Sequence, residues 1–290
     1  MATRIEGVSI VTGGLRRRHS ALRLAVAAGR EAVRKAGLSP GDIDLLLNVG
    51  VYRDGNLGEP ALAPLIQEDL HANPEDPHPG GRGTFSFDIA NGGCGVLSAL
   101  QVADGFLRAG TARHALVVAS DADPGRGMAP DFPFSPAGGA LVCRWTSDDR
   151  GLAGFGWCND HDAGKSFRST VEFQDGANML TVAEDPVFAA RAADAAADAA
   201  LSVLAEHSLS GADVDIVLAS PDRPGFLKVV ADRLDLPDKR IVTDGAHFHT
   251  AGPMVALRRA ERDGRLRPGG TALLVCGGAG VTGGAVLYHL

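Results

Sequence analysis

The stretch FSFDIANGGCGVLSALQVA, residues 85–103, decides the fold prediction. Its first residues favour a short β-strand, and the apolar spacing from Val96 onward predicts an amphipathic helix. Three glycines surround Cys94 between these two elements. Because glycine adopts backbone angles that other residues avoid, we predict a sharp strand-to-helix turn with the cysteine at or near the helix N-terminus.

A cysteine at a helix N-terminus has a lowered thiol pKa, since free backbone N–H groups and the helix dipole stabilise the thiolate. The same N–H groups are suited to hold a developing oxyanion. The alternative is a small buried apolar residue, which is the usual role of a free thiol. We assign that role to Cys143, Cys158 and Cys276 and predict that Cys94 is a nucleophile.

Composition describes an ordinary globular protein. The chain has 290 residues, a formal net charge of −7, 45% hydrophobic residues and 22% charged residues. An acidic balance argues against charge-driven nucleic-acid binding. The four cysteines are far apart, without CxxC pairs or zinc-site spacing, so we expect no structural metal and a cytoplasmic location. The N-terminus does not look like a signal peptide.

The last 20 residues, from Thr271 to Leu290, are almost free of charge and long enough to suggest a membrane span. They nevertheless contain five glycines. We therefore predict a strand, a glycine turn and a second strand, and no membrane segment.

Two segments occur twice. LSPGDID at 38–44 matches LSGADVD at 209–215, and each follows an Ala-rich helix and precedes an apolar strand. LRAG at 107–110 and LRPG at 266–269 each lead into another apolar strand. One match would suit any α/β protein, but two in the same order predict a duplicated α/β fold. We place the halves at residues 1–165 and 166–290, with sheets covered by helices on both faces.

Two irregular stretches, residues 52–83 and 121–138, are rich in turn-forming residues. Irregular segments on a rigid α/β body are where substrate and partner contacts usually lie. We expect them to contribute such contacts here.

In sequence order, these segments resemble the thiolase-fold condensing enzymes, and most closely the ketoacyl-acyl-carrier-protein synthase III group. FDIANGGCG is similar to the strand and turn that carry the family's acylated cysteine, and ARHALVVASD to its next central strand. ADRLDLP and GRLRPGGTALLVCGGAGVTGGAV are similar to its C-terminal half. The resemblance implies a layered αβαβα arrangement of two duplicated halves. It also implies a coenzyme A or acyl-carrier-protein thioester as substrate, no tightly bound cofactor, and a homodimer or a heterodimer with a homologue.

The resemblance also implies site residues. Cys94 accepts the acyl group, and the backbone N–H groups of Cys94 and Ala279 form the oxyanion hole, with Gly278 and Gly280 beside the substrate. Counting back from residues 231–234 puts Ser220 where decarboxylating members have histidine. A serine cannot replace an imidazole as base or enolate stabiliser, so decarboxylation is doubtful.

A second catalytic position falls in AHFHTAGP, residues 246–253. By residue type, the resemblance places it at His249. An ungapped alignment from the following helix places it at His247. We choose His249 as general base or hydrogen-bond donor and keep His247 as the alternative, beside the possibility that both are solvated loop histidines.

The segment between Gly14 and Ala21 is shorter than the insertion with which fuller family members bind the coenzyme A nucleotide. It contains Arg16, Arg17 and Arg18, which are suited to phosphates or an acidic carrier protein. A solvated surface run is the alternative that we favour.

Two functions follow from this sequence. The first is an acyltransferase or condensing enzyme of fatty-acid or polyketide-type metabolism that works through acyl-Cys94. Transfer to an oxygen, nitrogen or carbon acceptor, or thioester hydrolysis, needs only a thiolate, an oxyanion hole and one base. The second is a weakly catalytic or non-catalytic subunit that dimerises with an active condensing enzyme.

Overall fold

The computed structural model describes residues 1–13, 20–73, 83–125 and 127–290. Within them, ten strands form one mixed sheet and two more form a separate hairpin. The sheet strands are β1 (Ala2–Thr12), β2 (Leu45–Asn48), β3 (Phe85–Asp88), β4 (His114–Asp121), β5 (Ala137–Thr146), β6 (Gly151–Asn159), β9 (Ile216–Ser220), β10 (Ile241–Thr243), β11 (Thr271–Gly278) and β12 (Thr282–His289). The hairpin consists of β7 (Phe167–Gln174) and β8 (Ala177–Glu184).

The helices are α1 (Ala21–Lys35), α2 (Leu62–Leu70), α3 (Gly95–Arg108), α4 (Phe188–Glu206), α5 (Pro224–Leu234) and α6 (Gly252–Arg262). Of the helices described, none is long and apolar enough to span a membrane. The C-terminal segment forms the hairpin of β11 and β12 instead, as the sequence predicts.

Strand order confirms the duplication. The first five strands of the large sheet lie in the order β1-β5-β4-β2-β3, and the last five in the order β6-β12-β11-β9-β10. Each half therefore places its first, fifth, fourth, second and third strands side by side. The halves join where β1 lies beside β6, through the pair Thr3 and Leu152.

The pairing of β6 bears on where the first half ends and the second begins. Strand β6 lies before the predicted boundary at residue 165, yet it pairs along its length with β12 of the second half. The division at 165 stays a prediction. From this pairing, we propose that the second half begins with β6, between residues 146 and 151.

Each half of the ten-stranded sheet forms one sheet layer of the core. The five layers lie in the order helix, sheet, helix, sheet, helix. Alternate residues of each strand point to opposite faces. Leu46 of β2 packs with α1 and α2, while its neighbours Leu45 and Leu47 pack towards α3. In the second half, Val217 of β9 packs with α4 and α5, while Leu218 faces the central layer. Both faces of each sheet are buried, which explains the continuous apolar strands.

The central layer holds α3 and α6, one from each half. Each begins directly after a short 3₁₀ turn, Gly92–Cys94 before α3 and His249–Ala251 before α6. These two turns pack against each other. The duplication therefore brings the cysteine and one of the candidate histidines to the same place.

The repeat extends to individual hydrogen bonds. Ser39 Oγ donates to the Asp42 carboxylate at 2.7 Å, and Ser210 Oγ donates to the Asp213 carboxylate at 2.8 Å. Two residues further on, each half has an aspartate that accepts a backbone N–H. Asp44 accepts from the Arg113 N–H at 2.7 Å, and Asp215 accepts from the Thr271 N–H at 2.8 Å.

The two equivalent aspartates differ in exposure, which gives a test. The Asp44 side chain is only 8% exposed, whereas Asp215 is exposed. A hydrogen bond to a charged group shielded from water contributes about 1.5–3 kcal/mol. We expect Asp44→Ala to lower the free energy of unfolding by about 1–2 kcal/mol and Asp215→Ala by about 0.5 kcal/mol, measured in urea. Asp149→Ala, at an exposed turn, is the control. Equal losses for Asp44→Ala and Asp149→Ala would contradict the assignment.

Candidate active site

The cysteine turn, which we define as residues 91–95, has the predicted strand-to-helix geometry. Strand β3 ends at Asp88, Gly92–Cys94 form the 3₁₀ turn, and α3 starts at Gly95. Gly92 has φ +46°, a left-handed conformation that favours glycine. A Cβ atom on Gly93 would lie 2.7 Å from the Gly277 carbonyl oxygen, so only glycine allows β11 to approach this closely.

The Cys94 side chain is completely buried. Its thiol lies 3.5 Å from the Cys276 carbonyl oxygen and 3.4 Å from that of Thr282. Burial raises the pKa of Cys94 to about 12, although the Gly284 N–H donates to the sulfur and opposes the shift. The predicted lowering of this pKa is therefore wrong for the resting protein, because desolvation of the thiolate outweighs the favourable helix end. The thiol needs a base to become a nucleophile.

Of the two backbone N–H groups predicted to form the oxyanion hole, one already donates a hydrogen bond in the resting protein. The Cys94 N–H donates to the Asn91 carbonyl at 3.0 Å within the 3₁₀ turn. Among the described residues, the Ala279 N–H has no hydrogen-bond acceptor. The Ala279 nitrogen lies beside the cysteine turn, since a Cβ atom on Gly92 would be 3.3 Å from it.

The tail turn, residues 278–281, closes the β11–β12 hairpin against the cysteine. Gly278 pairs with Thr282 at the end of the ladder. A Cβ atom on Gly278 would lie 3.2 Å from the Cys94 nitrogen and 3.3 Å from its sulfur. Glycine at 278 thus lets the hairpin backbone reach the thiol. Gly280 follows with φ +72° and belongs to the turn itself.

A buried carboxylate holds His249. Asp121, at the end of β4, is fully buried, and its Oδ2 lies 2.9 Å from His249 Nδ1. The same oxygen accepts from the Thr250 N–H at 3.0 Å and the Thr250 hydroxyl at 2.5 Å. Burial alone would raise the pKa of Asp121, but His249 and the hydrogen bonds hold it below its usual value. An ionised aspartate accepts only, so we assign the proton of neutral His249 to Nδ1.

The Asp121 pair leaves His249 Nε2 available towards the cysteine turn. A Cβ atom on Gly92 would lie 3.8 Å from Nε2. His249 itself has φ +48°, a conformation that is rare outside glycine and is often found at functional sites. The left-handed backbone and the contact of the ring with Asp121 thus both define the orientation of His249.

Sequence reasoning missed Asp121. A signal was present, because Asp121 ends the apolar run ALVVAS in a strand parallel to β2, which lies between β4 and β3. The carboxyl ends of parallel strands share one edge of the sheet, where ligands commonly bind. The cysteine turn follows β3 at that same edge.

Aromatic side chains surround His249. The Phe134 ring stacks on it with centroids 4.3 Å apart and 27° between planes, and the Tyr52 ring lies 5.1 Å away. Burial raises the pKa of Tyr52 to about 12, so the phenol is neutral at physiological pH. Both aromatic residues belong to the two irregular stretches that the sequence singled out.

His247 has a different environment from His249. Its carbonyl accepts from the Ser135 N–H at 2.8 Å, and its ring lies 4.9 Å from the Phe134 ring. Burial, with the nearby Arg223 cation second, lowers the pKa of His247 to about 4. Within the described part of the chain, no carboxylate hydrogen-bonds its ring. The Pro133 carbonyl holds the ring instead. A histidine that stays neutral and has no carboxylate to stabilise its imidazolium is the weaker base candidate.

A small cavity of about 40 Å³ brings together five of the seven predicted site residues that the structure describes. Ser220, at the end of β9 and nearly buried, contributes to its wall. Gly93, His247, His249, Gly278 and Ala279 also line it. Cys94 does not line it, because its side chain is buried. Gly280 does not line it either.

The remaining expectations concern the arginine run and metals. Arg16, Arg17 and Arg18 lie outside the described residues. In the ranges that the structure describes, no group of three or more His, Cys, Asp and Glu side chains is placed to hold a metal ion.

Known proteins resemble this chain both in sequence and in structure. The family profile described as 3-oxoacyl-[acyl-carrier-protein (ACP)] synthase III C terminal matches residues 204–290. Two relatives are named β-ketoacyl-[acyl-carrier-protein] synthase III. The one from Sphingopyxis alaskensis is 31% identical, over 96% of this chain and 88% of its own. The one from Bordetella petrii is 30% identical, over 96% of this chain and 86% of its own.

A solved structure, 3-oxoacyl-[acyl-carrier-protein] synthase III from Aquifex aeolicus VF5, superimposes with a TM-score of 0.83. The alignment covers 99% of this chain and 100% of that one at 19% sequence identity. This likeness shows the fold, which is the thiolase-like fold that the sequence resemblance implied.

Asp244, near Ser220, provides a test of the buried electrostatics of this region. A Cβ atom on Gly252 would touch both the Ser220 hydroxyl and an Asp244 carboxylate oxygen. Burial raises the pKa of Asp244 to about 6, and Asp244 Oδ1 has no hydrogen-bond partner among the described residues. A raised carboxyl pKa costs stability above that pKa, since the folded protein must bury a charge that the unfolded chain exposes to water.

We expect Asp244→Asn to raise the free energy of unfolding at pH 8 by about 1–3 kcal/mol. The gain should shrink as the pH falls through 6 and vanish below about pH 3, where Asp244 is neutral in both the folded and the unfolded states. Thermal and urea unfolding across this pH range measure it. Asp263→Asn, at an exposed helix end, is the control, and a gain that stays constant with pH would contradict the assignment.

Proposed function

Because the chain belongs to the β-ketoacyl-[acyl-carrier-protein] synthase III family, we propose that it transfers acyl groups from a coenzyme A or acyl-carrier-protein thioester through a covalent acyl-Cys94 intermediate. Family membership makes the protein a condensing-type transferase of fatty-acid or polyketide metabolism. The observation that carries the finer proposal is the meeting of the cysteine turn, the tail turn and the Asp121–His249 pair around one cavity.

In the proposed first half-reaction, His249 Nε2 takes the proton of the Cys94 thiol. Asp121 Oδ2 holds Nδ1–H, which keeps the basic nitrogen directed at the cysteine turn and stabilises the imidazolium that forms. This base is needed because burial raises the pKa of Cys94 to about 12. For the attack, the thiol turns from the Cys276 and Thr282 carbonyls towards the cavity.

The Cys94 sulfur then bonds to the thioester carbonyl carbon. The carbonyl oxygen becomes an oxyanion, and the Ala279 N–H, which has no acceptor among the described residues, would stabilise it. The Cys94 N–H joins once it leaves the Asn91 carbonyl. Collapse of the intermediate breaks the bond to the leaving sulfur, which takes the proton back from His249. Acyl-Cys94 and a free thiol of the carrier are the products.

In the second half-reaction, we propose that His249 takes a proton from the acceptor as the acceptor bonds to the acyl carbon of acyl-Cys94. The bond between that carbon and the Cys94 sulfur then breaks, and the sulfur takes the proton back from His249. Ser220 lines the cavity where the family resemblance places a histidine. A hydroxyl does not supply the proton transfer or charge that an imidazole gives to a decarboxylation. We therefore infer non-decarboxylative transfer, or hydrolysis when water is the acceptor. Gly278, which lines the cavity, would border the acyl group.

One observation favours the second function, a weakly catalytic partner subunit. In the resting protein, Cys94 is completely buried and its N–H is engaged with Asn91. Both features must change before the cysteine reacts. A subunit that only shapes the pocket of an active homologue would never need that change.

Strand β3 supports the proposal of a homodimer. It is the outermost strand at one end of the ten-stranded sheet. Phe85 on this edge is 58% exposed and lies near Phe87 and Phe106, with ring centroids 5.1 and 6.2 Å away. An open edge with exposed aromatic rings is a site where a second chain can pair. The cysteine turn directly follows this strand, so dimer contacts would border the site.

Incubation with acetyl-, butyryl-, malonyl- and succinyl-coenzyme A followed by intact-protein mass spectrometry tests the acyl-enzyme. We expect one acyl group per chain on the wild type and on Cys158→Ala, and none on Cys94→Ala. Cys158 is the matched control because it is a partly exposed free thiol outside the site. If neither these thioesters nor their carrier-protein equivalents acylate Cys94, the partner-subunit function replaces the enzyme.

Single-turnover acylation rates distinguish the two histidines. We expect His249→Gln to slow acylation by about 10²–10⁴-fold, the usual contribution of a general base, and His247→Gln by less than about threefold. Because the pKa of Cys94 is about 12, the rate of His249→Gln should rise tenfold per pH unit between pH 7 and 9 as the thiolate forms.

The wild-type rate should depend less on pH over that range, because His249 removes the proton during attack. Thermal unfolding of both variants checks that they fold. A larger loss in His247→Gln than in His249→Gln would reverse the assignment.

A further inference from the structure

Arg223 is a charged side chain of the cavity that the proposed reaction does not use. It directly precedes α5, and its guanidinium pairs with Glu184, the last residue of β8. Both carboxylate oxygens are engaged, Oε2 by Nη2 at 3.0 Å and Oε1 by Nη1. Arg223 and Glu184 both line the cavity, so this fork-to-fork pair joins two separate elements across its wall.

The rest of the cavity wall makes a lone charge unfavourable. Phe134, Phe167 and Phe188 supply its aromatic part. His247 is neutral at physiological pH, because burial and Arg223 lower its pKa to about 4. Among the described residues that line the cavity, Arg223 is thus the fixed positive charge, and Glu184 neutralises it in the resting protein.

We propose that Arg223 binds a carboxylate on the acyl group of the donor, and that this carboxylate replaces Glu184 as the partner of the guanidinium. The preferred donors are then dicarboxylic acyl thioesters, such as a succinyl thioester. This inference rests on the proposed acyl transfer at Cys94 and names its substrate class. The planar guanidinium fork binds a carboxylate through two parallel hydrogen bonds, which gives both affinity and orientation.

The position of Arg223 argues for a carboxylate on the acyl group. The phosphates of coenzyme A and of carrier-protein thioesters lie at the far end of the pantetheine arm from the thioester. Arg223, in contrast, lines the same small cavity as His249 and Ala279, where the thioester carbonyl reacts. An anion that reaches Arg223 while the carbonyl is at Ala279 belongs to the acyl group.

The cavity size explains why the ion pair must exchange partners. A cavity of about 40 Å³ holds only a few water molecules, since one water needs about 10–15 Å³ on the same measure. A four-carbon acyl group needs more room, so side chains of the wall must move as it enters. Arg223 and Glu184 are each 29% exposed, which places them at the mouth. A substrate carboxylate that replaces Glu184 opens the mouth without leaving the guanidinium unpaired.

The alternative is that this ion pair is purely structural. The two roles predict different changes in donor affinity when one partner is removed. If the pair only holds the β7–β8 hairpin to α5, loss of either partner has the same effect on every donor. If Arg223 recognises the substrate, loss of Arg223 weakens binding of carboxylated donors, while loss of the Glu184 charge removes a competitor and strengthens it.

Isothermal titration calorimetry on full-length Cys94→Ala protein tests this without acylation. Succinyl-coenzyme A and butyryl-coenzyme A are the probes, since both have four-carbon acyl groups and differ in the terminal carboxylate. We expect succinyl-coenzyme A to bind about tenfold or more tightly than butyryl-coenzyme A, the advantage of a charge-assisted pair over a neutral contact.

Adding Arg223→Met should remove the preference, and adding Glu184→Gln should raise the succinyl affinity by about three- to tenfold with butyryl unchanged. Arg233→Met is the matched control, because Arg233 lies on the same helix α5 and pairs with Asp194 and Asp198 on the surface. It should leave both affinities unchanged.

Equal affinity for the two thioesters overturns the proposal, and so does a parallel loss of both affinities in the Arg223 and Glu184 variants. Failure of the acyl-enzyme itself would appear elsewhere, as the absence of an acyl adduct on Cys94 in the wild type. A succinyl preference in Cys94→Ala that disappears in Arg223→Met would support the recognition role even then.

Discussion

The Asp121 carboxylate is the interaction on which the site depends. It is fully buried and accepts five hydrogen bonds. Oδ1 binds the backbone N–H groups of Val51 and Tyr52, and Oδ2 binds Thr250 twice and His249 once. A buried charge is stable only when such partners replace water. The need to satisfy Asp121 therefore ties the segment after β2 and the turn before α6 to the end of β4.

This arrangement joins the two halves of a duplicated fold. Asp121 and Cys94 come from the first half, while His249 and the tail turn come from the second. The central helices α3 and α6 occupy equivalent places and begin at turns that touch. Duplication thus supplies a nucleophile from one copy and a base from the other, with glycines at 93 and 278 allowing the backbones to approach.

Burial decides the chemistry of the cysteine more than its place on the helix does. The helix end favours a thiolate, but complete burial beneath the β11–β12 hairpin raises the pKa of Cys94 to about 12. The resting thiol is accordingly protonated and is activated by a base, in contrast to cysteines that react as preformed thiolates. The cavity beside the cysteine turn is also small, so we propose that substrate enters as its carboxylate replaces Glu184 on Arg223.

Several features of the fold follow from local sequence pattern alone. The two LSxxDxD-type segments, at 38–44 and 209–215, predicted the duplication, and the same serine–aspartate caps appear at both places. Glycine spacing predicted the turn at Cys94 and the hairpin at residues 271–290, because glycine preferences act over a few residues. The residue types in HTAG favoured His249 over His247 as the catalytic histidine. That choice stays a prediction, and the contact between Asp121 and His249 supports it.

Contacts between distant parts of the chain follow from packing and not from local sequence. Asp121 and His249 are 128 residues apart, and nothing in their local sequences pairs them. The burial of Cys94 depends on carbonyls of Cys276 and Thr282, and the Arg223–Glu184 pair on a hairpin that lies outside the repeat. Desolvation and carboxylate pairing depend on which side chains surround a group after folding. Local periodicity therefore predicted the elements, while packing between the halves set the charges and proton positions of the site.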